Sequence, residues 1–203
     1  MEACLDEEHL IIDLRGNGGG NEQVLMDGVL RYLVSEPVEI GVLRVSNCGS
    51  LSRFMRGWEL GAVETAQDGG LPSNALTEEL NRRFPAVFAD SAVLTPQEER
   101  FLGKAWLLVD GAVYSAADGF AAKCKAANLA TLVGSRTKGG GMSSQPIPFS
   151  LPNSGILVFF EDVVAINDDG TCSAFLGTLP DVEMKGEDAL DHCLRLIAEG
   201  FEG

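Results

Sequence analysis

The sequence has 203 residues, of which 45% are apolar, and this composition predicts a folded core and excludes a disordered chain. A formal net charge of −15 at pH 7 argues against nucleic acid or an anionic membrane surface as the main partner. No apolar run reaches the roughly 20 residues of a membrane helix, and the acidic first eight residues do not form a signal peptide. Five dispersed cysteines, none in a Cys-x-x-Cys pair, argue against structural zinc and favour free thiols. The compartment stays open, although free thiols lean towards the cytoplasm.

The first predicted strand runs directly into a glycine-rich turn. Residues Leu10–Leu14 form an apolar run interrupted only by Asp13, and Gly16–Gly20 follow at once. Asn21 has the side chain of a helix cap, so we expect a helix over Glu22–Ser35. Such a turn aims backbone N–H groups at one point and suits a phosphate, a carboxylate or a developing oxyanion. A tight strand-to-helix turn with no ligand is the alternative.

The remaining pattern alternates strands with helices and predicts an α/β layered domain over residues 1–203. An irregular excursion with a short helix ending at Arg83 is expected at about 51–104. Further strands are predicted at Val38–Val45, Trp106–Gly111, Ala130–Val133, Ile147–Leu151, Gly155–Phe160 and Val163–Ile166. Two more helices are predicted, at 115–127 and at Glu187–Glu199.

Ser115 lies where a predicted strand gives way to a helix. A serine there can attack a carbonyl while two backbone N–H groups hold the oxyanion, one from Ala116 and one from Gly18 or Gly19. The alternative is that Ser115 only caps the helix.

Four blocks of the sequence are distinctive: Leu10–Gly20, Val109–Gly111 with Ser115–Asp118, Leu132–Gly140 and Gly177–Asp181. In this order they resemble the tail-specific (C-terminal processing) serine protease family. The resemblance covers about residues 10–181 and implies a core related to the crotonase and ClpP folds. It also implies that Ser115 aligns with the nucleophile, that Ala116 and the turn at Gly18 and Gly19 align with the oxyanion hole, and that the substrate is a peptide or protein. No metal or organic cofactor is implied, and a homo-oligomer is compatible with it.

The resemblance does not supply an evident general base. In the processing-protease branch the base is a lysine just after a glycine in the third block, where this chain has Gly140. Lys138 lies two positions earlier. The tricorn-like branch, which the chain resembles more closely, uses an upstream histidine and a glutamate before the fourth block, where Ser173–Leu176 holds no carboxylate. His9 is expected at a strand edge, about 15 Å from Gly18, and His192 on the surface.

Three interpretations therefore stay open. The first is a serine peptidase core whose general base comes from an absent upstream segment, because family members usually carry upstream domains. The second is a non-catalytic peptide- or ligand-binding domain on the same fold. The third is a serine hydrolase that uses Lys138. Asp118, one turn beyond Ser115, is expected to be solvated at the helix N-terminus.

Overall fold

The chain divides into two units, of which residues 1–40, 92–142 and 174–203 form the first and residues 41–91 and 143–173 form the second. The computed structural model describes residues 1–47, 49, 74–143, 146–167 and 170–201. The first part of the predicted excursion, residues 51–73, lies outside the described residues.

The first unit is built on four parallel strands, which are β1 His9–Asp13, β4 Lys104–Val109, β5 Thr131–Gly134 and β9 Val182–Glu183. Their order across the sheet is β1-β4-β5-β9. The helices of this unit are α1 Glu22–Leu25, α2 Arg31–Leu33, α4 Ala116–Ala126 and α5 Ala189–Ala198. Because every strand runs the same way, the segments that follow β1, β4 and β5 all leave from one edge of the sheet.

The central strand β4 is buried on both faces, as its continuous apolar run predicts. Leu107 and Val109 pack in one cluster with Phe120 of α4. Trp106 and Leu108 point the other way, into a cluster that includes Ala189 and other residues of α5. Burial of each large apolar side chain in these clusters stabilises the fold by about 1.5–3 kcal/mol. Helices therefore cover both faces of a parallel sheet, which confirms the predicted α/β class.

The second unit is antiparallel where its pairings are described. Its elements are β2 Val38–Ser46, α3 Ala75–Arg83, β3 Ala86–Leu94, β6 Ile147–Ser150, β7 Leu157–Phe160 and β8 Val163–Ile166, and β2 and β3 lie mostly in this unit. The three-stranded sheet has the order β3-β2-β8, and β2 pairs with β8 in the antiparallel sense. A separate hairpin pairs β6 with β7.

Several described elements differ from the sequence prediction, among them the first helix and the unpredicted strands β3 and β9. The helix expected over Glu22–Ser35 ends at Leu33 and is π-helical over Met26–Leu30, between α1 and α2. Strand β3 was not predicted, because Pro85 and Pro96 on either side of it indicate chain breaks. Among the described helices, none combines the length and apolar character that a membrane span requires.

Candidate active site

Ser115 lies immediately before α4, in a backbone conformation that is unusual for a residue with a side chain. Its φ is +55° and its ψ is −131°. Such a conformation costs about 1–3 kcal/mol and persists only where the surrounding structure enforces it. The side chain of Ser115 makes no capping hydrogen bond to α4. Ser115 therefore occupies the N-cap position without the side-chain hydrogen bond that a capping role would use.

Hydrogen bonds on both sides hold this turn. The N–H of Ser115 donates to the carbonyl oxygen of Gly139, in the segment after β5, at 3.0 Å. The N–H of Tyr114 donates to the carbonyl oxygen of Asn17, in the turn after β1, also at 3.0 Å. The structure thus brings the glycine-rich turn, the Ser115 turn and the Gly139 segment together at the carboxyl edge of the parallel sheet.

Gly19 lies directly against Ser115. A β-carbon on Gly19 would be 2.7 Å from the β-carbon of Ser115 and 3.1 Å from the backbone nitrogen of Ala116. The φ of Gly19 is +104°, which side chains rarely adopt. Glycine is therefore required here on two independent grounds, conformation and space.

The backbone N–H groups of Ala116, Gly18 and Gly19 differ in whether they already have an acceptor. Within the described residues, the N–H groups of Ala116 and Gly18 have no hydrogen-bond partner. The N–H of Gly19 instead donates to the side-chain oxygen Oδ1 of Asn17 at 2.9 Å. Of the two glycines predicted as oxyanion donors, Gly18 thus has the open N–H, and Gly19 supplies the close backbone approach.

A carboxylate closes the other end of the glycine-rich turn. Asp110, just after β4, accepts hydrogen bonds from the N–H of Gly16 at 3.2 Å and from the N–H of Ala112 at 2.9 Å. It therefore ties the start of the glycine-rich turn to the segment that leads to Ser115.

Among the described residues, Lys138 makes no hydrogen bond to the Ser115 hydroxyl. Its backbone N–H donates to the carbonyl oxygen of Val113 at 2.7 Å, and its exposed side chain extends over Tyr114. The Nζ atom lies 5.3 Å from the centroid of the Tyr114 ring, within the range of a cation–π interaction.

Both histidines are engaged elsewhere. His9 pairs with Lys104 at the amino end of the sheet, and its Nδ1 accepts a hydrogen bond from Trp106 Nε1 at 3.2 Å. His192 interacts with Glu187 and Arg195 along α5. In the part of the chain that the structure describes, no side chain hydrogen-bonds to Ser115 Oγ.

Asp118 is buried and not solvated, which corrects the expectation from sequence. Its side chain is 1% exposed. Oδ1 accepts hydrogen bonds from the Thr137 hydroxyl at 2.5 Å, the Thr178 hydroxyl at 2.9 Å and the Thr178 N–H at 3.2 Å. Oδ2 accepts one from the N–H of Gly141 at 2.9 Å. The only sequence signal was that threonines occur in the third and fourth blocks.

An ion pair links α4 to the start of α1, the helix that follows the glycine-rich turn. Lys123 of α4, whose side chain is only 10% exposed, pairs with Glu22 at the start of α1. Lys123 Nζ also lies 3.6 Å from the sulfur of Met142. This pair connects the helix after the glycine-rich turn with the helix after Ser115.

A second ionic connection lies at Arg15. Its guanidinium donates to both carboxylate oxygens of Asp13, at 2.9 and 2.7 Å, and to Asp188 at 2.8 Å. The hydrogen bond from Arg15 lowers the pKa of Asp13. Asp188 caps α5, and its pKa is lowered first by the N–H of Leu190 and then by Arg15.

In the described ranges, no three His, Cys, Asp or Glu side chains gather as a metal-binding group would.

Comparison with known proteins agrees with this architecture. The model of peptidase family S41 matches residues 5–184, and the chain belongs to this family. No curated protein matches the sequence.

Solved structures of similar fold include three proteins whose chains are much longer than this one. A candidate peptidase from Parabacteroides merdae has a TM-score of 0.62 at 20% identity, over 96% of this chain and 52% of its own. A mutant of CPAF has a TM-score of 0.69 at 19% identity, and the match covers 100% of this chain and 45% of the CPAF chain. The tricorn protease has a TM-score of 0.53 at 18% identity, and the match covers 95% of this chain and 15% of the tricorn chain. The chain thus spans about half or less of each of these proteins.

Proposed function

We propose that this chain carries the nucleophile and the oxyanion site of a serine peptidase, with a peptide or protein as substrate. The observation that carries the proposal is the position of Ser115, in a strained turn against Gly19 and next to the open N–H of Ala116. Strained strand-to-helix turns that expose a serine are typical of serine hydrolases. Membership of family S41 supports the same chemistry.

In the proposed reaction, Ser115 Oγ attacks the carbonyl carbon of the scissile peptide bond. The Oγ proton passes to a general base, and the carbonyl oxygen becomes an oxyanion held by the N–H groups of Ala116 and Gly18, with Gly19 allowing the close approach. Collapse breaks the C–N bond, and the amine leaves with the proton. Water then hydrolyses the acyl-serine ester and restores the hydroxyl.

The general base is proposed to lie outside these 203 residues. The two histidines of the chain are held at the amino end of the sheet and on α5. Lys138 Nζ extends over Tyr114 and makes no hydrogen bond to Ser115 within the described residues. A base from an upstream segment, as in the tricorn-like branch, is compatible with both facts.

A reactive-serine probe tests the proposal. We expect a fluorophosphonate to label Ser115 slowly in this chain, faster when imidazole is added as an external base, and fastest in a chain extended by its upstream residues. Ser115→Ala is the control for the labelled site. Absence of labelling under all three conditions would favour the non-catalytic binding domain. Labelling of this chain that is lost in Lys138→Ala would instead assign the base to Lys138.

A further inference from the structure

We infer that Asp118 is a positioning residue that holds the Ser115 turn in its reactive conformation through the segment Gly139–Gly141. The inference rests on the proposed function, because it assigns a role in presenting the nucleophile. It starts from the burial of Asp118, which places a carboxylate in the first turn of the helix that Ser115 precedes.

Both oxygens of the buried carboxylate accept hydrogen bonds. Its two oxygens receive four hydrogen bonds, three from Thr137 and Thr178 on Oδ1 and one from Gly141 on Oδ2. A buried charge is tolerated only when donors surround it in this way. Asp118 therefore fixes two segments, those around Thr137–Gly141 and Gly177–Thr178, against α4.

The Gly139–Gly141 segment in turn holds Ser115. Gly139 accepts the hydrogen bond from the Ser115 N–H, and Gly141 packs so closely that a β-carbon on it would lie 2.4 Å from the Ser115 carbonyl oxygen. Two contacts from one short segment thus constrain both backbone groups of Ser115. Asp118 anchors that segment at the N–H of Gly141.

The positive φ of Ser115 needs such an anchor. A strained conformation relaxes when the groups that enforce it are released. If the Gly141 N–H loses its acceptor, the segment can move away and Ser115 can leave the conformation that presents its hydroxyl. The role assigned to Asp118 acts through the backbone, since Asp118 makes no hydrogen bond to Ser115 Oγ among the described residues.

Asp118→Asn tests this with almost no change of shape. The amide oxygen keeps the place of Oδ1 with its three donors, and the amide nitrogen then opposes the N–H of Gly141. Asp181→Asn is the matched control, because Asp181 also accepts a backbone N–H, from Leu132 at 2.9 Å, and pairs with Lys125 away from Ser115. Thr137→Val removes a donor to Asp118 and serves as a second variant if Asp118→Asn does not fold.

The readout is amide hydrogen exchange of the Ser115 N–H in the whole chain, together with the rate of probe labelling. We expect Asp118→Asn to lower protection of the Ser115 N–H by about tenfold or more, the size expected from one lost charge-assisted hydrogen bond. Protection of the β4 amides should be retained, and Asp181→Asn should leave Ser115 unchanged. The labelling rate of Ser115 should fall with its protection.

The inference is overturned if Ser115 protection in Asp118→Asn, or in Thr137→Val where that variant is needed, stays within about twofold of the wild type. It is equally overturned if Asp181→Asn lowers this protection as much. Failure of the proposed function is a separate result: Ser115 of the wild-type chain would not be labelled under any condition. The exchange measurement decides the role of Asp118 in that case too.

Discussion

A β-carbon on Gly19 would lie 2.7 Å from the β-carbon of Ser115 and 2.8 Å from the carbonyl oxygen of Tyr114. Both neighbours are held by the hydrogen bonds of the Ser115 turn and cannot withdraw without breaking them. The glycine-rich turn and the candidate nucleophile therefore fit only while position 19 has no side chain.

Gly19→Ala should lower the free energy of unfolding by about 2–4 kcal/mol, because it combines a clash with an unfavourable positive φ. Denaturation by urea measures the loss, and probe labelling of Ser115 should disappear. Gly28→Ala is the control, since a β-carbon at Gly28 meets no atom within 4 Å and its φ is not positive. Equal stability of the two variants would contradict the close packing described here.

Ser115→Ala and Ser115→Gly should differ in stability. Both remove the hydroxyl and should abolish labelling, but only glycine adopts the φ of +55° without strain. We expect Ser115→Gly to be about 1 kcal/mol more stable than Ser115→Ala in a denaturation experiment. The opposite order would show that this backbone conformation carries no strain.

The ion pair between Lys123 and Glu22 should respond unequally to loss of its two members. Glu22→Gln leaves a nearly buried ammonium without its counter-charge, whereas Lys123→Met leaves a carboxylate that is already 41% exposed. We expect about 1–2 kcal/mol of destabilisation for Glu22→Gln and less than about 1 kcal/mol for Lys123→Met. A double-mutant cycle measures both values, and a larger loss in Lys123→Met would refute the argument.

Arg15→Gln should destabilise the chain in a pH-dependent way. In the folded chain, Arg15 holds the pKa of Asp13 below its usual value of 3.8, and the N–H of Leu190, followed by Arg15, lowers the pKa of Asp188. A lowered folded-state pKa stabilises the protein above the unfolded-state pKa, and this stabilisation is lost as the pH falls through the folded-state value. The difference in unfolding free energy between wild type and Arg15→Gln should therefore be largest near neutral pH and shrink in acid.

The matched variant for this pH series is Arg100→Gln. Arg100 donates to the carbonyl oxygen of Ser35, which does not titrate. The effect of Arg100→Gln on stability should stay constant over the range in which that of Arg15→Gln declines. Parallel pH profiles for the two variants would exclude the linkage to Asp13 and Asp188.

Much of the first unit was predictable because its signals are local. The apolar runs of β1, β4 and β5 have the composition of strands buried on both faces, and Asn21 does cap the helix after the glycine-rich turn, accepting from the N–H of Gln23 at 3.0 Å. Side-chain contacts between distant segments have no such local signal. The burial of Asp118 depends on Thr137 and Thr178, which reach it only in the folded chain.

The same limit applies to the glycine-rich turn. The run of glycines predicts backbone donors for an oxyanion, and the N–H of Gly18 has no acceptor among the described residues. The sequence could not show that the side-chain oxygen of Asn17 accepts the hydrogen bond from the N–H of Gly19. The roles of Ser115, Ala116, Gly18, Gly19 and Lys138 in a reaction stay predictions, which the labelling experiments address.

The parallel pairing of β1 with β4 also bears on how the chain reaches its native state. The hydrogen bond from Trp106 to His9 spans 97 residues, so this strand pair forms only after a long stretch of backbone has been closed into a loop. Contacts of such high sequence separation slow folding, because the entropy of loop closure is lost before the pairing energy is gained. We therefore expect slow refolding, limited by the formation of this strand pair.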